Sequence, residues 1–131
     1  MQNGDRMNLA TCSIDMRFAP KDLEHAVRLL LSVKEHILAK HGCRACDIGR
    51  EANDPGLVHY REEWDAVDRF RRHVRSEEFR RVLIAADLAC EEPRVVVGTL
   101  SGQSGMAHLR TLREEGGDLP IPDDGSTATS S

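Results

Sequence analysis

Hydrophobic and polar residues alternate along the first part of the chain with the period of a strand. In residues 9–18 every second side chain is apolar, which predicts a strand with one buried face. The polar positions between them are Thr11, Ser13, Asp15 and Arg17. From Pro20 to Gly42 the apolar positions instead recur at helical spacing. This segment is predicted to be an amphipathic helix that starts near the proline and stops at the glycine.

The middle of the chain has the pattern of a hairpin followed by two helices. Residues 43–51 and 57–64 are predicted strands, and a turn-forming sequence at 53–56 separates them. Residues 65–75 then carry apolar side chains at helical spacing. Ser76 follows as a candidate N-cap for a second helical piece.

The last predicted elements are a strand and a short helix. Residues 94–100 are dense in β-branched side chains, which favours a strand, and residues 106–115 are predicted to be helical. The resulting order, β-α-β-β-α-β with an extra C-terminal helix, is the ferredoxin-like split β-α-β pattern. We therefore predict an α+β fold in which helices cover one face of a single antiparallel sheet. The polar side of residues 9–18 would then face a cavity or a wet interface.

Length and composition fit one domain. The chain has 131 residues, of which 40% are apolar and 31% charged, as expected for a globular protein with a modest core. We predict a lead-in at 1–8, a domain at 9–115 and a disordered tail at 116–131, where Gly, Pro, Ser, Thr and Asp dominate. In a domain of this size, dimerisation would be a useful further source of buried surface.

The charge balance argues against a nucleic-acid partner. The formal net charge is −4, and the arginines between positions 69 and 81 are interleaved with acidic residues, as on a solvated helix face. No apolar run has the length needed to span a bilayer, and the N-terminus lacks the pattern of a secretory signal. We therefore expect no membrane partner and a cytoplasmic location, where cysteines are mostly reduced.

Cys43 and Cys46 form a Cys-x-x-Cys pair at the start of a predicted strand. Residues three apart on a regular strand point to opposite faces and lie about 10 Å apart, whereas a disulfide needs Cα atoms within about 7 Å. We therefore interpret both as free, structural thiols. The histidines and the other cysteines have no spacing typical of a zinc site, so no metal is predicted.

Several short motifs, in this order and on these elements, resemble the antibiotic biosynthesis monooxygenase family. The motifs are GCRAC at 42–46, NDP at 53–55, EEW at 62–64, HVRSEEF at 73–79 and EPRV at 92–95. The resemblance covers roughly residues 8–114. It implies a homodimer whose two sheets face each other as a dimeric α/β barrel. Each subunit would keep a pocket between its sheet and the helices or loops over it.

The same resemblance implies a range of reactions. Some relatives oxidise quinols or anthrone-type aromatics with dioxygen and no metal or flavin, others degrade haem, and one branch isomerises a phosphorylated sugar. Haem-degrading relatives carry a Trp where this chain has His73 and a haem-ligating His where it has Leu83, so that chemistry is disfavoured. Isomerisation would need a cluster of basic groups in the pocket, for which Arg17, Arg44 and Arg50 are the candidates.

The candidate site follows from the strand and helix on either side of residue 64. Alternation puts Tyr60, Glu62 and Trp64 on one strand face, where the two aromatic rings would hold a flat substrate and Glu62 would be a polar contact. His73 would then deprotonate or orient a substrate hydroxyl. The alternatives are a Trp64 that only packs beneath the following helix and a His73 that only bonds a nearby carbonyl.

Ser13 and Asp15 complete the candidate substrate-binding set, because the polar side of the first strand could line the barrel interior. Hydrogen bonding across a dimer interface is their alternative role. The leading hypothesis is a small monooxygenase or quinol-oxidising protein, without a cofactor, that acts on an aromatic hydroxylated compound with dioxygen. The alternative hypothesis is a non-catalytic ligand-binding or interaction module with the same pocket.

Overall fold

The computed structural model describes residues 8–101 and 106–115. In chain order the elements within these residues are β1 (Asn8–Arg17), α1 (Pro20–Leu38), β2 (Cys43–Glu51), β3 (Asp54–Trp64), α2 (Val67–Val74), α3 (Glu77–Asp87), β4 (Arg94–Ser101) and α4 (Met106–Glu114). The predicted lead-in, up to residue 7, and the predicted tail at 116–131 lie outside the described residues.

The strands form one antiparallel sheet with the order β2-β3-β1-β4. β1 pairs with β3 so that Cys12 lies opposite Glu62 and Ile14 lies opposite Tyr60. Directly paired residues project from the same face of a sheet, so these four side chains share one face. Together with the order of the helices, this sheet confirms the predicted ferredoxin-like α+β fold.

The core lies between one face of the sheet and the helices. Alternate residues of β1 are buried on that face, and α1 packs against β2, β3 and α3. The buried residues of α1 are Ala26, Leu30, Val33 and Ile37. The period-two stripe of a strand thus meets the helical stripe of α1, as the sequence pattern predicts. Among the described helices, none is long and apolar enough to cross a membrane.

β3 begins earlier than predicted, at Asp54, because the chain turns at 52–53. Pro55 has no backbone N–H to donate, but a proline is tolerated near the start of a strand. The backbone N–H of Phe18 donates to the Gly56 carbonyl at 2.9 Å. A Cβ at position 56 would lie 2.9 Å from the Phe18 carbonyl oxygen, so this close approach requires a glycine.

The expectation that Cys43 and Cys46 point to opposite faces is wrong. The pairing of β2 with β3 shifts register between Cys43 and Ala45, so that Cys43 lies opposite Trp64 and Cys46 lies opposite Glu62. An extra residue in a strand reverses the alternation that follows it, and both thiols therefore share the helix-covered face. Both are free cysteines, as predicted.

β4 differs from the other strands because its apolar side chains remain exposed on both faces. Val95 and Val97 share the helix side of the sheet with β1, yet they are 54% and 57% exposed. Val96 and Leu100, on the other face, are 55% and 51% exposed. This edge of the sheet therefore carries apolar surface that the described part of the chain does not cover.

Candidate functional site

β3 places three of the candidate residues side by side on the helix-covered face. The side chains of Tyr60, Glu62 and Trp64 are 0%, 0% and 1% exposed. A carboxylate that is removed from water must be hydrogen-bonded to remain in the core. The partners of Glu62 therefore determine what this part of the protein can do.

Glu62 accepts hydrogen bonds from side chains on three sides. Its Oε1 accepts from Trp64 Nε1 at 2.8 Å. Its Oε2 accepts from the Tyr60 hydroxyl and lies 3.0 Å from His73 Nε2. The contact with Glu62 also satisfies the indole N–H, which a buried tryptophan needs. Four residues that the sequence places on one strand and one helix thus form a single buried network.

His73 reaches this network from the last turn of α2 and is 2% exposed. Its ring lies against Trp64, with 4.7 Å between ring centroids, and meets Phe79 edge-on at 5.3 Å. Ser76 caps α3 by accepting from the Phe79 backbone N–H at 3.2 Å, as its position in the sequence predicts. The turn between α2 and α3 therefore holds the imidazole between two aromatic rings.

The partners of His73 determine which nitrogen can accept a proton. A carboxylate only accepts, so Nε2 donates to Glu62, and Nδ1 of the neutral ring is an acceptor. Lys40 Nζ lies 3.0 Å from Nδ1 and donates to it, while Ser76 Oγ lies 3.4 Å from the same nitrogen. Nδ1 is therefore the basic atom of this site.

A second partner holds Lys40 in place. Its Nζ lies 2.9 Å from Glu78 Oε1, and both side chains are half-buried. The hydrogen bond from Lys40 is the main reason why the pKa of Glu78 is lowered. Lys40 follows α1 and Glu78 lies in the first turn of α3, so the pair links these two helices next to His73.

A cleft of about 290 Å³ opens beside His73. Both neighbours of Nδ1 line it, whereas Glu62 does not. The lining residues are Lys40, His41, Trp64, Arg69, Arg72, His73 and Ser76. The volume is at the lower end of the range for small-molecule pockets. The cleft thus borders His73 and the two side chains that contact its Nδ1, whereas the Glu62 carboxylate is buried.

Burial makes the cysteine thiols and the tyrosine hydroxyl near Glu62 poor nucleophiles. Desolvation raises the pKa of Cys12 to about 12 and the pKa values of Cys43 and Cys46 to about 11. Desolvation, and then the charge of Glu62, also raises the pKa of the Tyr60 hydroxyl. Cysteine reactivity requires the thiolate. These groups therefore serve the site as hydrogen-bond donors and packing residues.

Ser13 and Asp15 lie on the other, open face of the sheet. Asp15 is paired with His59, and its Oδ1 lies 2.8 Å from His59 Nδ1. Glu51 Oε1 lies 2.9 Å from His59 Nε2. The hydrogen bonds to Asp15 and then to Glu51 raise the pKa of His59. The sheet itself therefore separates Ser13 and Asp15 from Tyr60 and the rest of the candidate set.

The arginines considered for sugar isomerisation do not line the cleft. Arg17, Arg44 and Arg50 pair with carboxylates elsewhere. The basic residues that do line it are Lys40, His41, Arg69 and Arg72. The sequence pattern does not place these four at the pocket, because two of them follow α1 and two lie in α2, and these segments meet only in the folded chain. The one signal in the sequence was the helical spacing of the arginines beside His73.

Comparison with known proteins gives one family match. A family model described as antibiotic biosynthesis monooxygenase matches residues 10–83, whereas no curated protein matches the chain significantly. The fold is similar to that of a solved antibiotic biosynthesis monooxygenase (TM-score 0.61, 20% identity, 68% of this chain and 95% of that chain). It is also similar to a conserved protein from Methanosarcina mazei Go1 (TM-score 0.65, 19% identity, 70% and 92%). A protein from Mycobacterium tuberculosis is similar as well (TM-score 0.65, 17% identity, 75% and 98%).

Proposed function

The chain belongs to the antibiotic biosynthesis monooxygenase family, and we propose that it is a small monooxygenase or quinol oxidase that needs no cofactor. Its substrate is an aromatic compound with a hydroxyl group. The observation that carries this proposal is the position of His73, whose Nε2 is bonded to buried Glu62 while both contacts of its Nδ1, Lys40 and Ser76, line the cleft. A carboxylate–imidazole pair of this kind is a common way to orient a general base.

The proposed reaction begins with proton transfer. The substrate hydroxyl gives its proton to Nδ1 of His73, and Glu62 stabilises the imidazolium through Nε2. The ammonium of Lys40, which occupies Nδ1 in the resting protein, moves to the phenolate oxygen. The electron-rich phenolate then transfers electrons to dioxygen, while Trp64 supplies a flat wall for the ring.

Both versions of the reaction balance without a cofactor. A quinol loses two electrons and two protons to dioxygen, which gives a quinone and hydrogen peroxide. An anthrone-type methylene instead reacts with dioxygen to give a carbonyl group and water. In either case Tyr60 and Trp64 help to position Glu62, because both donate to its carboxylate.

Dioxygen uptake tests the proposal. The purified protein is incubated with menadiol and with an anthrone, and uptake is compared with the non-enzymatic background. His73→Gln should lower the rate at least about a hundredfold if His73 is the general base, whereas the exposed His36 on α1 supplies the control variant His36→Gln. Uptake that is equal in the two variants would rule out His73 as the base.

A non-catalytic binding module is the second candidate, and a specific observation favours it. Glu62, Trp64 and His73 are at most 2% exposed and are hydrogen-bonded to one another, as in a network that only stabilises the fold. In that case aromatic ligands would bind in the cleft without dioxygen uptake on any member of the substrate panel. Calorimetric binding measurements beside the uptake assay distinguish the two functions.

We also propose that the protein is a homodimer whose open sheet faces meet. The half-exposed carboxylates and His59 on that face, together with the exposed Val96 and Leu100 of β4 on the same face, support an additional protein surface there. Light scattering after size-exclusion chromatography should give twice the mass of one chain. A monomeric mass at high protein concentration would contradict the proposal.

A further inference from the structure

The charged side chains that line the cleft beside His73 are all positive. Its lining contains the side chains of Lys40, Arg69 and Arg72 but no aspartate or glutamate. The whole chain has 22 acidic residues against 18 lysines and arginines. The charged side chains that line the cleft are thus all cationic in a protein whose formal net charge is negative, which favours an anionic ligand there.

The three cations are not equally available to a ligand. Lys40 is bonded to Glu78 and His73, and Arg69 lies 3.4 Å from Asp65. The side chain of Arg72, in contrast, makes no hydrogen bond or ion pair with any residue in the described part of the chain. A guanidinium that is free to turn towards a carboxylate can bind it through two parallel hydrogen bonds.

We propose that the cleft takes an aromatic carboxylic acid and that Arg72 binds its carboxylate. This inference rests on the proposed function, which accounts for the hydroxyl group of the same substrate. The inference adds a carboxylate to that substrate, and Arg72 binds it, with Arg69 beside it on the same helix. In this arrangement buried Trp64 and His73 contact the ring, and exposed Arg72 contacts the carboxylate.

Binding without dioxygen tests the inference separately from catalysis. We would titrate 6-hydroxy-2-naphthoic acid and the matched 6-hydroxy-2-naphthamide into the protein under anaerobic conditions and measure Kd by calorimetry. The acid should bind roughly tenfold more tightly than the amide, because one charge-assisted contact is worth about that factor. The difference should shrink when the salt concentration is raised to about 0.5 M.

Two neighbouring arginines supply the matched pair of variants. Arg72→Gln should weaken binding of the acid roughly tenfold and leave binding of the amide within about twofold. Arg71→Gln removes the same charge from the same helix, but Arg71 does not line the cleft, so this variant should bind the acid like the parent protein. Equal affinities for acid and amide, or equal losses in the two variants, would overturn the inference.

A third ligand separates the possible anions. If 1-naphthyl phosphate binds more than tenfold more tightly than the acid, the assignment of a carboxylate is overturned. Failure of this inference can also be distinguished from failure of the proposed function. Preference for the acid without dioxygen uptake would sustain the binding site and refute the enzyme, whereas dioxygen uptake without preference for the acid would refute only Arg72 as the anion site.

Discussion

The buried position of Glu62 implies that its side chain contributes strongly to the stability of the fold, although a carboxylate in the core is unusual. We predict that Glu62→Gln, which keeps the size and shape of the side chain, strongly destabilises the protein. The Glu62 carboxylate accepts from Tyr60, Trp64 and His73 in a core position with 0% exposure. A glutamine has only one oxygen acceptor, and its NH₂ group would face a donor.

The size of the effect follows from these contacts. At least one buried donor loses its acceptor, which costs about 1–3 kcal/mol, and the remaining bonds lose their charge assistance, so the sum is roughly 2–4 kcal/mol. The free energy of unfolding of a small domain is about 5–15 kcal/mol in total. The variant should therefore fold, with a Tm lower by on the order of 10 °C.

Urea unfolding measures this difference. Far-UV circular dichroism is the primary signal, because fluorescence reports Trp64, the only tryptophan, which is itself bonded to Glu62. Glu63→Gln is the matched control. Glu63 points to the open face and pairs with the partly exposed Arg44 and Arg61, and such pairs contribute at most about 1 kcal/mol. The reasoning is refuted if Glu62→Gln loses no more stability than Glu63→Gln.

Three further predictions concern other parts of the fold. Gly42 has φ +94°, so Gly42→Ala should cost about 1–2 kcal/mol in urea unfolding, and an unchanged midpoint would contradict this. Removal of the α3 cap in Ser76→Ala should cost about 1 kcal/mol, whereas Ser76→Asp, measured the same way, should retain most of the stability. Asp15 and Glu51 raise the pKa of His59 in the folded protein, so protonated His59 stabilises the fold. This stabilisation is complete below the unfolded pKa near 6.5 and is lost as the pH rises through the folded pKa. The parent should therefore lose more stability than His59→Gln between about pH 6 and 8, and parallel pH profiles of the two proteins would exclude this contribution.

Local patterns in the sequence were sufficient to predict most of the fold. The two-residue period of β1 and the helical spacing of α1 predict which faces are buried, because a strand or helix next to a core must present its apolar side to it. The alternation also correctly places Tyr60, Glu62 and Trp64 on one face. The prediction for Cys43 and Cys46 was wrong because a bulge, which depends on the pairing with β3, leaves no mark in the alternation of β2.

The sequence by itself determined the order of the elements, the α+β fold and the residues of β3 that enter the core. Only the tertiary structure decided that His73 meets Glu62, that Lys40 meets Nδ1 and that Asp15 lies on the far face of the sheet. These contacts join residues that are 11 and 33 positions apart in the chain. Periodicity shows on which side of its own helix or strand a residue lies, but it does not show which other element packs against that side. The chemistry of this cleft depends on that packing between elements.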